Sequence, residues 1–257
     1  MPTFHQILTL ARVPNLPTVW SNVLMAWALA GGGCWLGLGA ALSGGTLLYA
    51  GGCTLNDACD ARWDRAHKPD RLIPSGAMTE RAVWTLGLAE MALGLGLFIV
   101  ASPASWFLPV GLAVAILAYD FRHKETPWSV VVMGACRALL VLSGAAVAGR
   151  VLDWRILTAA AVVWAYIILL SLLARRESRP GGGLLRALRP RGSVGRWVGE
   201  MLAAIPLVDA ALLFALGTGQ ACLACVVMGT GGAHGMALIC LLLWPLCRLL
   251  QRKYAAT

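Results

Sequence analysis

The stretch whose reading decides this protein runs from Asn56 to Gly76, N-D-A-C-D-A-R-W-D-R-A-H-K-P-D-R-L-I-P-S-G, directly after an apolar segment that carries Gly51 and Gly52. Asn56, Asp60 and Asp64 stand four residues apart. If the helix of the apolar segment continues through them, that spacing stacks three hard oxygen donors on one face. Two carboxylates roughly 5–6 Å apart repel each other near a membrane unless a cation lies between them. Magnesium suits the set, because it wants octahedral oxygen and commonly combines one or two carboxylates with phosphate oxygens and water. Asn56, Asp60 and Asp64 are therefore the candidate metal ligands. Arg65, Lys68 and Arg71 follow closely enough to neutralise the remaining charge of a diphosphate, arginine by its two-pronged fork. Asp57 falls off that face and reads as a supporting carboxylate. The bland alternative is a helix leaving the membrane with solvated Asp and Arg pairs. Alternation over a full helical repeat, straight after an apolar span, argues against it.

Outward from this stretch the chain is apolar in both directions. Of 257 residues, 59% are hydrophobic and 13% charged, which places most of the chain in lipid. A spanning helix takes roughly 20 apolar residues, and such stretches lie near 17–35, 37–55, 82–101, 104–119, 127–148, 156–174, 197–216 and 221–249. The fold expected is all-α and membrane-integral, a bundle of eight transmembrane helices in one domain over residues 1–257. A ninth helix results if Gly229, Gly231, Gly232 and Gly235 break the last stretch into a pair. Arginine and lysine collect after the second, fourth and sixth stretches and in the tail, whereas the opposite loops hold only Arg150 and Arg155. By the positive-inside rule both termini and these loops are cytoplasmic. The net charge of +9 sits in juxtamembrane loops, so it predicts anionic lipid and diphosphate as partners and no nucleic acid. Eight cysteines are scattered mainly through apolar segments, and the Cys222 and Cys225 spacing has no second pair or nearby histidine to complete a zinc site.

The residues then resemble a family. N-D-x-x-D-x-x-x-D followed by R-x-I-P-S-G is similar to the first aspartate-rich motif of the UbiA superfamily of intramembrane prenyltransferases, with Leu72 where the family usually has proline. The opening A-R-V-P-N-L-P-T-V-W-S-N, ending at Asn22, resembles the family's entry into its first helix, where a polar side chain faces the substrate cavity. Y-D-F-R-H-K, Tyr119 to Lys124, stands where the family has a tyrosine-containing loop with a diphosphate-contacting lysine. G-A-C-R, with Arg137, has counterparts in a bacterial subgroup. The resemblance covers roughly residues 9–177 and departs at the family's second motif, D-x-x-x-D. Here the chain reads Leu173-Ala174-Arg175-Arg176-Glu177-Ser178, with Glu177 the single carboxylate and two arginines able to supply fixed positive charge instead of a second ion.

The resemblance implies a UbiA-like bundle around a central cavity, in the cytoplasmic membrane of a bacterium. It implies magnesium-dependent transfer of a prenyl group from a prenyl diphosphate to an aromatic or other lipophilic acceptor. Asp60, Asp64, Lys124 and Arg71 are the expected catalytic residues. Asn22, Asn56, Lys68, Tyr119, Asp120, Arg137, Arg175 and Glu177 are the expected substrate contacts. Departure of the diphosphate leaves an allylic cation that water would quench, so the site should be an apolar chamber closed by a loop. The polar insertion from Arg175 to Arg196 reads either as such a flap or as a basic linker. Arg137, Glu90 and Asp209 are ionisable groups inside apolar stretches, where burial is costly without a partner or a cavity. Arg137 is expected at the cavity, meeting an acceptor carboxylate or Asp60, and the other two in structural pairs. The main rival reading is a non-catalytic carrier or transporter of a prenyl-type or other anionic lipid. A CDP-alcohol phosphotransferase is disfavoured, because Ala61 stands where its motif needs glycine.

Overall fold

The computed structural model describes residues 4–122, 126, 128–178, 193–217 and 232–253, and of residues 4, 5, 122, 176–178 and 193–195 the backbone alone. Every regular element among them is helical. In chain order they are α1 (Phe4–Leu10), a 3-10 turn (Val13–Asn15), α2 (Leu16–Leu29), α3 (Trp35–Cys59), α4 (Ala61–His67) and α5 (Glu80–Ala101). A second 3-10 turn (Pro103–Ser105) leads to α6 (Phe107–Arg122), α7 (Ser129–Val147), α8 (Trp154–Ser178), α9 (Ser193–Ala203), α10 (Ile205–Leu216) and α11 (Ala233–Lys253).

Local chemistry sets these boundaries. Pro17 stands in the first turn of α2, where its missing N–H costs nothing, and Gly31 and Gly32, at φ +96° and +74°, turn the chain after it. Thr79 caps α5 by accepting from the Ala82 N–H at 3.2 Å, with Glu80 in the first turn. Pro206 cannot donate to the turn before it, and the apolar run Arg196–Leu216 accordingly breaks at Ala204 into α9 and α10.

Among the described residues six runs are long and apolar enough to cross a membrane: Trp35–Cys59, Glu80–Ala101, Ser129–Val147, Trp154–Arg175, Arg196–Leu216 and Ala233–Lys253. Their outer faces carry Leu88, Leu93, Val100, Leu169, Phe214 and Leu242 exposed, as lipid contact requires. The protein is an integral membrane protein. Two of the eight expected stretches are shorter than a span: Phe107–Phe121, and α2 with 14 residues. At 1.5 Å per residue α2 reaches about 21 Å, short of the roughly 30 Å hydrocarbon layer. It lies inside the bundle, against α3, α7, α10 and α11, and every residue of it except Trp20 is buried. A helix apolar all round belongs in such a place. The proposed ninth helix and the Cys222 and Cys225 pair fall within 218–231, outside the described residues, as does most of the Arg175 to Arg196 insertion.

α3 packs mainly on α5 through two glycine pairs, each seven residues apart: Gly44 and Gly51 on α3, Gly87 and Gly94 on α5. A Cβ on Gly94 would stand 2.8 Å from the Gly44 carbonyl oxygen, and one on Gly51 3.0 Å from that of Gly87. Absent side chains let the two backbones touch, which is how helices gain dispersion contact in lipid. On its other side a Gly52 Cβ would meet the Ile116 side chain of α6 at 2.7 Å. α3 is thereby fixed between α5 and α6, and its C-terminal end carries the polar residues described next.

Candidate active site

α3 runs on into α4 with little interruption. Asp60 bends at φ −82°, ψ −7°, yet its N–H still reaches the Asn56 carbonyl at 2.9 Å, and the Asp64 N–H reaches that of Asp60 at 2.9 Å. Asn56, Asp60 and Asp64 therefore follow one another at single helical turns, as their spacing predicts.

Their side chains meet different partners. Asn56 is buried between two helices: its Nδ2 donates to Asp120 of α6 at 3.2 Å, and its Oδ1 accepts from Arg12 at 3.2 Å. Asp64, 1% exposed, accepts from Arg71 through Oδ2 at 3.0 Å, while its buried Oδ1 has no hydrogen-bond partner. Asp57 lies between the two arginines, 3.1 Å from Arg12 and 3.1 Å from Arg71. Asp60 and Asp120 line a cleft of about 660 Å³ whose walls include Trp63, His67, Trp84 and Phe121. Trp84 and Phe121 stack there at 6.3 Å, and Trp63 and His67 at 4.1 Å with Lys68 over the Trp63 ring at 5.9 Å. Arg65 bonds Glu80 at 2.7 Å on the surface. Among the described residues no three His, Cys, Asp or Glu side chains gather into a metal cluster. What gathers is a carboxylate–arginine network in which the buried Asp64 Oδ1 accepts no hydrogen bond.

A second polar cluster lies deeper. Arg137 of α7 donates from Nη1 to Asn22 Oδ1 at 3.0 Å and from Nη2 to Thr18 Oγ1 at 2.9 Å, with its guanidinium 5.9 Å from the centre of the Tyr49 ring. Asn22 Nδ2 in turn donates to both oxygens of Asp209 on α10, at 3.0 and 2.8 Å, and Ser21 donates to the second at 2.6 Å. Asn22 is thus fully buried between a cation and an anion rather than open to a cavity. The partner of Arg137 is Asn22, not Asp60. Glu90 accepts from Thr54 at 2.9 Å, the structural pairing expected of it.

Tyr119 lies partly buried on α6 beside Asp120. Arg175 donates to the Thr126 carbonyl at 3.3 Å and to the Ser129 hydroxyl. Lys124 lies outside the described residues, as does the side chain of Glu177. Arg12 is the residue that sequence reasoning passed over. Its backbone sits at φ +44°, ψ +51°, uncommon for a side-chain-bearing residue, at the corner between α1 and the first 3-10 turn. That corner aims the guanidinium across at α3. An arginine next to Val13-Pro14 at the head of an apolar stretch was the available signal.

Known proteins bear on this geometry. The chain is 28% identical over 201 residues to digeranylgeranylglyceryl phosphate synthase of Methanoregula boonei, covering 68% of this chain and 72% of that one. It is 28% identical over 137 residues to 4-hydroxybenzoate octaprenyltransferase of Citrobacter koseri, covering 51% and 47%. With several curated relatives the match spans under half of the relative's length, as in the 44% for Methanopyrus kandleri. In fold it is similar to a UbiA homologue of Archaeoglobus fulgidus solved with DMAPP and Mg2+, with a TM-score of 0.56 at 15% identity over 96% of this chain and 86% of that one. The model of the UbiA prenyltransferase family matches residues 15–257. With nearly the whole chain inside that match, the protein belongs to the UbiA prenyltransferase family.

Proposed function

We propose that the protein transfers a prenyl group from a prenyl diphosphate to a lipophilic or aromatic acceptor, with Asn56, Asp60 and Asp64 holding magnesium at the cytoplasmic end of a single-domain helical bundle. The observation that carries this reading is Asp64: a carboxylate 1% exposed, with one oxygen on Arg71 and the other unpartnered. Leaving such an acceptor unsatisfied is costly, and a cation is the ligand its charge and hardness suit. Asp60 and Asn56, one and two turns earlier, add a carboxylate and an amide oxygen to that end of α3. Magnesium held there would supply positive charge to the departing diphosphate.

The chain's own residues do the rest. Arg71 and Arg12 neutralise Asp57 and Asp64, and Arg12 also donates to the Asn56 amide oxygen, before substrate arrives. With a metal bound there, the guanidinium donors of Arg71 and Arg12 would be free to turn to phosphate oxygens, and Lys68 and Lys124 are the further cations this reading assigns to the diphosphate. Arg175, anchored by Ser129 and the Thr126 carbonyl, supplies fixed charge where related enzymes have the second aspartate motif. Trp84 and Phe121, stacked in the cleft, offer the prenyl group an apolar wall. Relatives named for 4-hydroxybenzoate and for a glyceryl phosphate support both the donor chemistry and an acceptor with a polar end.

The test is magnesium-dependent binding of a labelled prenyl diphosphate to the purified protein and to its Asp60→Ala and Asp64→Ala variants. Loss of binding in the variants is expected. Unchanged binding in both removes the metal site, and diphosphate that moves between leaflets without reacting favours a carrier.

A further inference from the structure

Arg12 Nη2 and Arg71 Nη1 donate to one and the same oxygen, Asp57 Oδ1, each at 3.1 Å. Two guanidiniums brought to one oxygen repel each other, so something besides that oxygen has to keep them there. Neither arginine lies on a membrane-spanning helix: Arg12 follows α1, and Arg71 is in the loop between α4 and α5. Arg12 also holds its left-handed backbone, φ +44° and ψ +51°, which in a side-chain-bearing residue persists only where the surroundings fix it.

What fixes both is a small apolar cluster. Leu10 of α1, Ala58 of α3, Ala61 of α4, Ile73 and Met78 of the loop and Val83 of α5 pack together, apart from the core of the bundle. Leu10, 1% exposed, stands two residues before Arg12, and Ile73 stands two residues after Arg71. The loop is closed on itself, with the Ser75 N–H on the Arg71 carbonyl at 2.9 Å and the Met78 N–H on that of Leu72 at 3.0 Å. Gln6 of α1 ties it across by donating to the Ala77 carbonyl at 3.3 Å. α1 and the loop are therefore one unit, and each half of it delivers one arginine.

We propose that Leu10 is a positioning residue for the diphosphate. Through the cluster it sets Arg12 directly and Arg71 by way of Ile73, so that two cations from distant parts of the chain reach one anion as a pair. Leu10 itself touches neither metal nor phosphate. That the diphosphate carries a prenyl group rests on the reading above; the pairing of the arginines does not.

The experiment uses the full-length protein in phosphatidylcholine nanodiscs with magnesium, and measures equilibrium binding of inorganic pyrophosphate and of geranyl diphosphate. Leu10→Ala should weaken pyrophosphate binding at least tenfold, and Leu10→Met, which refills the space, should return it to within threefold of wild type. On an Arg12→Gln background, where one of the two cations is already gone, Leu10→Ala should cost no more than threefold, because residues that act through each other are not additive. Ile156→Ala truncates a 0% exposed side chain beside Asp153, at the end of α8 away from Arg175. It should lower the melting temperature and leave pyrophosphate binding within twofold. Wild-type affinity in Leu10→Ala overturns the proposal, as does a loss that stays tenfold on the Arg12→Gln background or that Ile156→Ala reproduces. If Leu10→Ala fails to fold, Leu10→Val and Ile73→Val run the same cycle, each with an expected loss of at least threefold that shrinks once Arg12 is replaced. A wild type that binds no pyrophosphate also overturns it. Pyrophosphate binding that follows this pattern while geranyl diphosphate binds no more tightly than pyrophosphate would sink the prenyl-transfer reading and leave the arginine pair standing.

Discussion

Arg71 Nη1 lies 3.0 Å from Asp64 Oδ2, and the same nitrogen lies 3.1 Å from Asp57. One guanidinium nitrogen thus neutralises two carboxylates, one of them almost wholly buried. The loop Lys68–Gly76 is folded back so that a residue seven positions after Asp64 returns to it, and Gly76, at φ +76°, closes the turn.

Arg71→Ala should therefore destabilise the protein by about 3 kcal/mol, since it strands the charge of Asp64 in the interior. Adding Asp64→Asn should recover part of that loss, because the stranded charge disappears. Denaturant unfolding in detergent measures both. A loss below about 1 kcal/mol with no recovery would mean that the pair behaves as a surface one.

Asn22 joins Arg137 to Asp209, and Asn22→Ala takes two of the three hydrogen bonds from a carboxylate that is 0% exposed. A loss of about 2 kcal/mol is expected. In a double-mutant cycle with Asp209→Ala the two changes should couple by at least about 1 kcal/mol. Strict additivity would show that the amide and the carboxylate do not depend on each other.

Gly94→Ala drives a methyl group to 2.8 Å from the Gly44 oxygen and the Leu48 nitrogen, both backbone atoms that cannot step aside. It should cost about 1–3 kcal/mol by forcing α3 and α5 apart. Gly96→Ala, on the same helix with nothing within 4 Å, should cost nothing and serves as the control. Comparison of their melting temperatures reads the difference directly.

Asp153, in the loop before α8, is held at about 2 by the Arg155 side chain and then by its backbone N–H, against an ordinary 3.8. A carboxylate depressed by folding contributes stability that is fully present above its unfolded value, near 3.8, and lost as pH falls toward 2. The melting-temperature gap between wild type and Asp153→Asn should be constant from pH 7 to 5 and narrow below pH 4. A gap that has not narrowed by pH 2 would assign the effect to the hydrogen bonds of the cap rather than to its charge.

The family and the all-helical membrane fold were legible in the chain itself, because both rest on local quantities. Hydropathy over about 20 residues measures transfer into lipid wherever the segment ends up, and the period of four in Asn56, Asp60 and Asp64 is a property of one helix, kept across the bend at Asp60 by backbone bonds at 2.9 Å. Length alone did not reveal that α2 is an interior helix of 14 residues, since a buried helix and a spanning one are equally apolar. Nor did it reveal partners. That Arg12 reaches Asn56 across 44 positions, that Asn56 meets Asp120 across 64, and that Asn22 stands between Arg137 and Asp209 across 115 and 187 depends on which helices pack together. Side chains choose partners by distance in space, and spacing along the chain fixes that distance only within a few turns of one helix. The sequence by itself determined where the charge lies along each helix; the packing of α2, α3, α6, α7 and α10 decided what each charge faces.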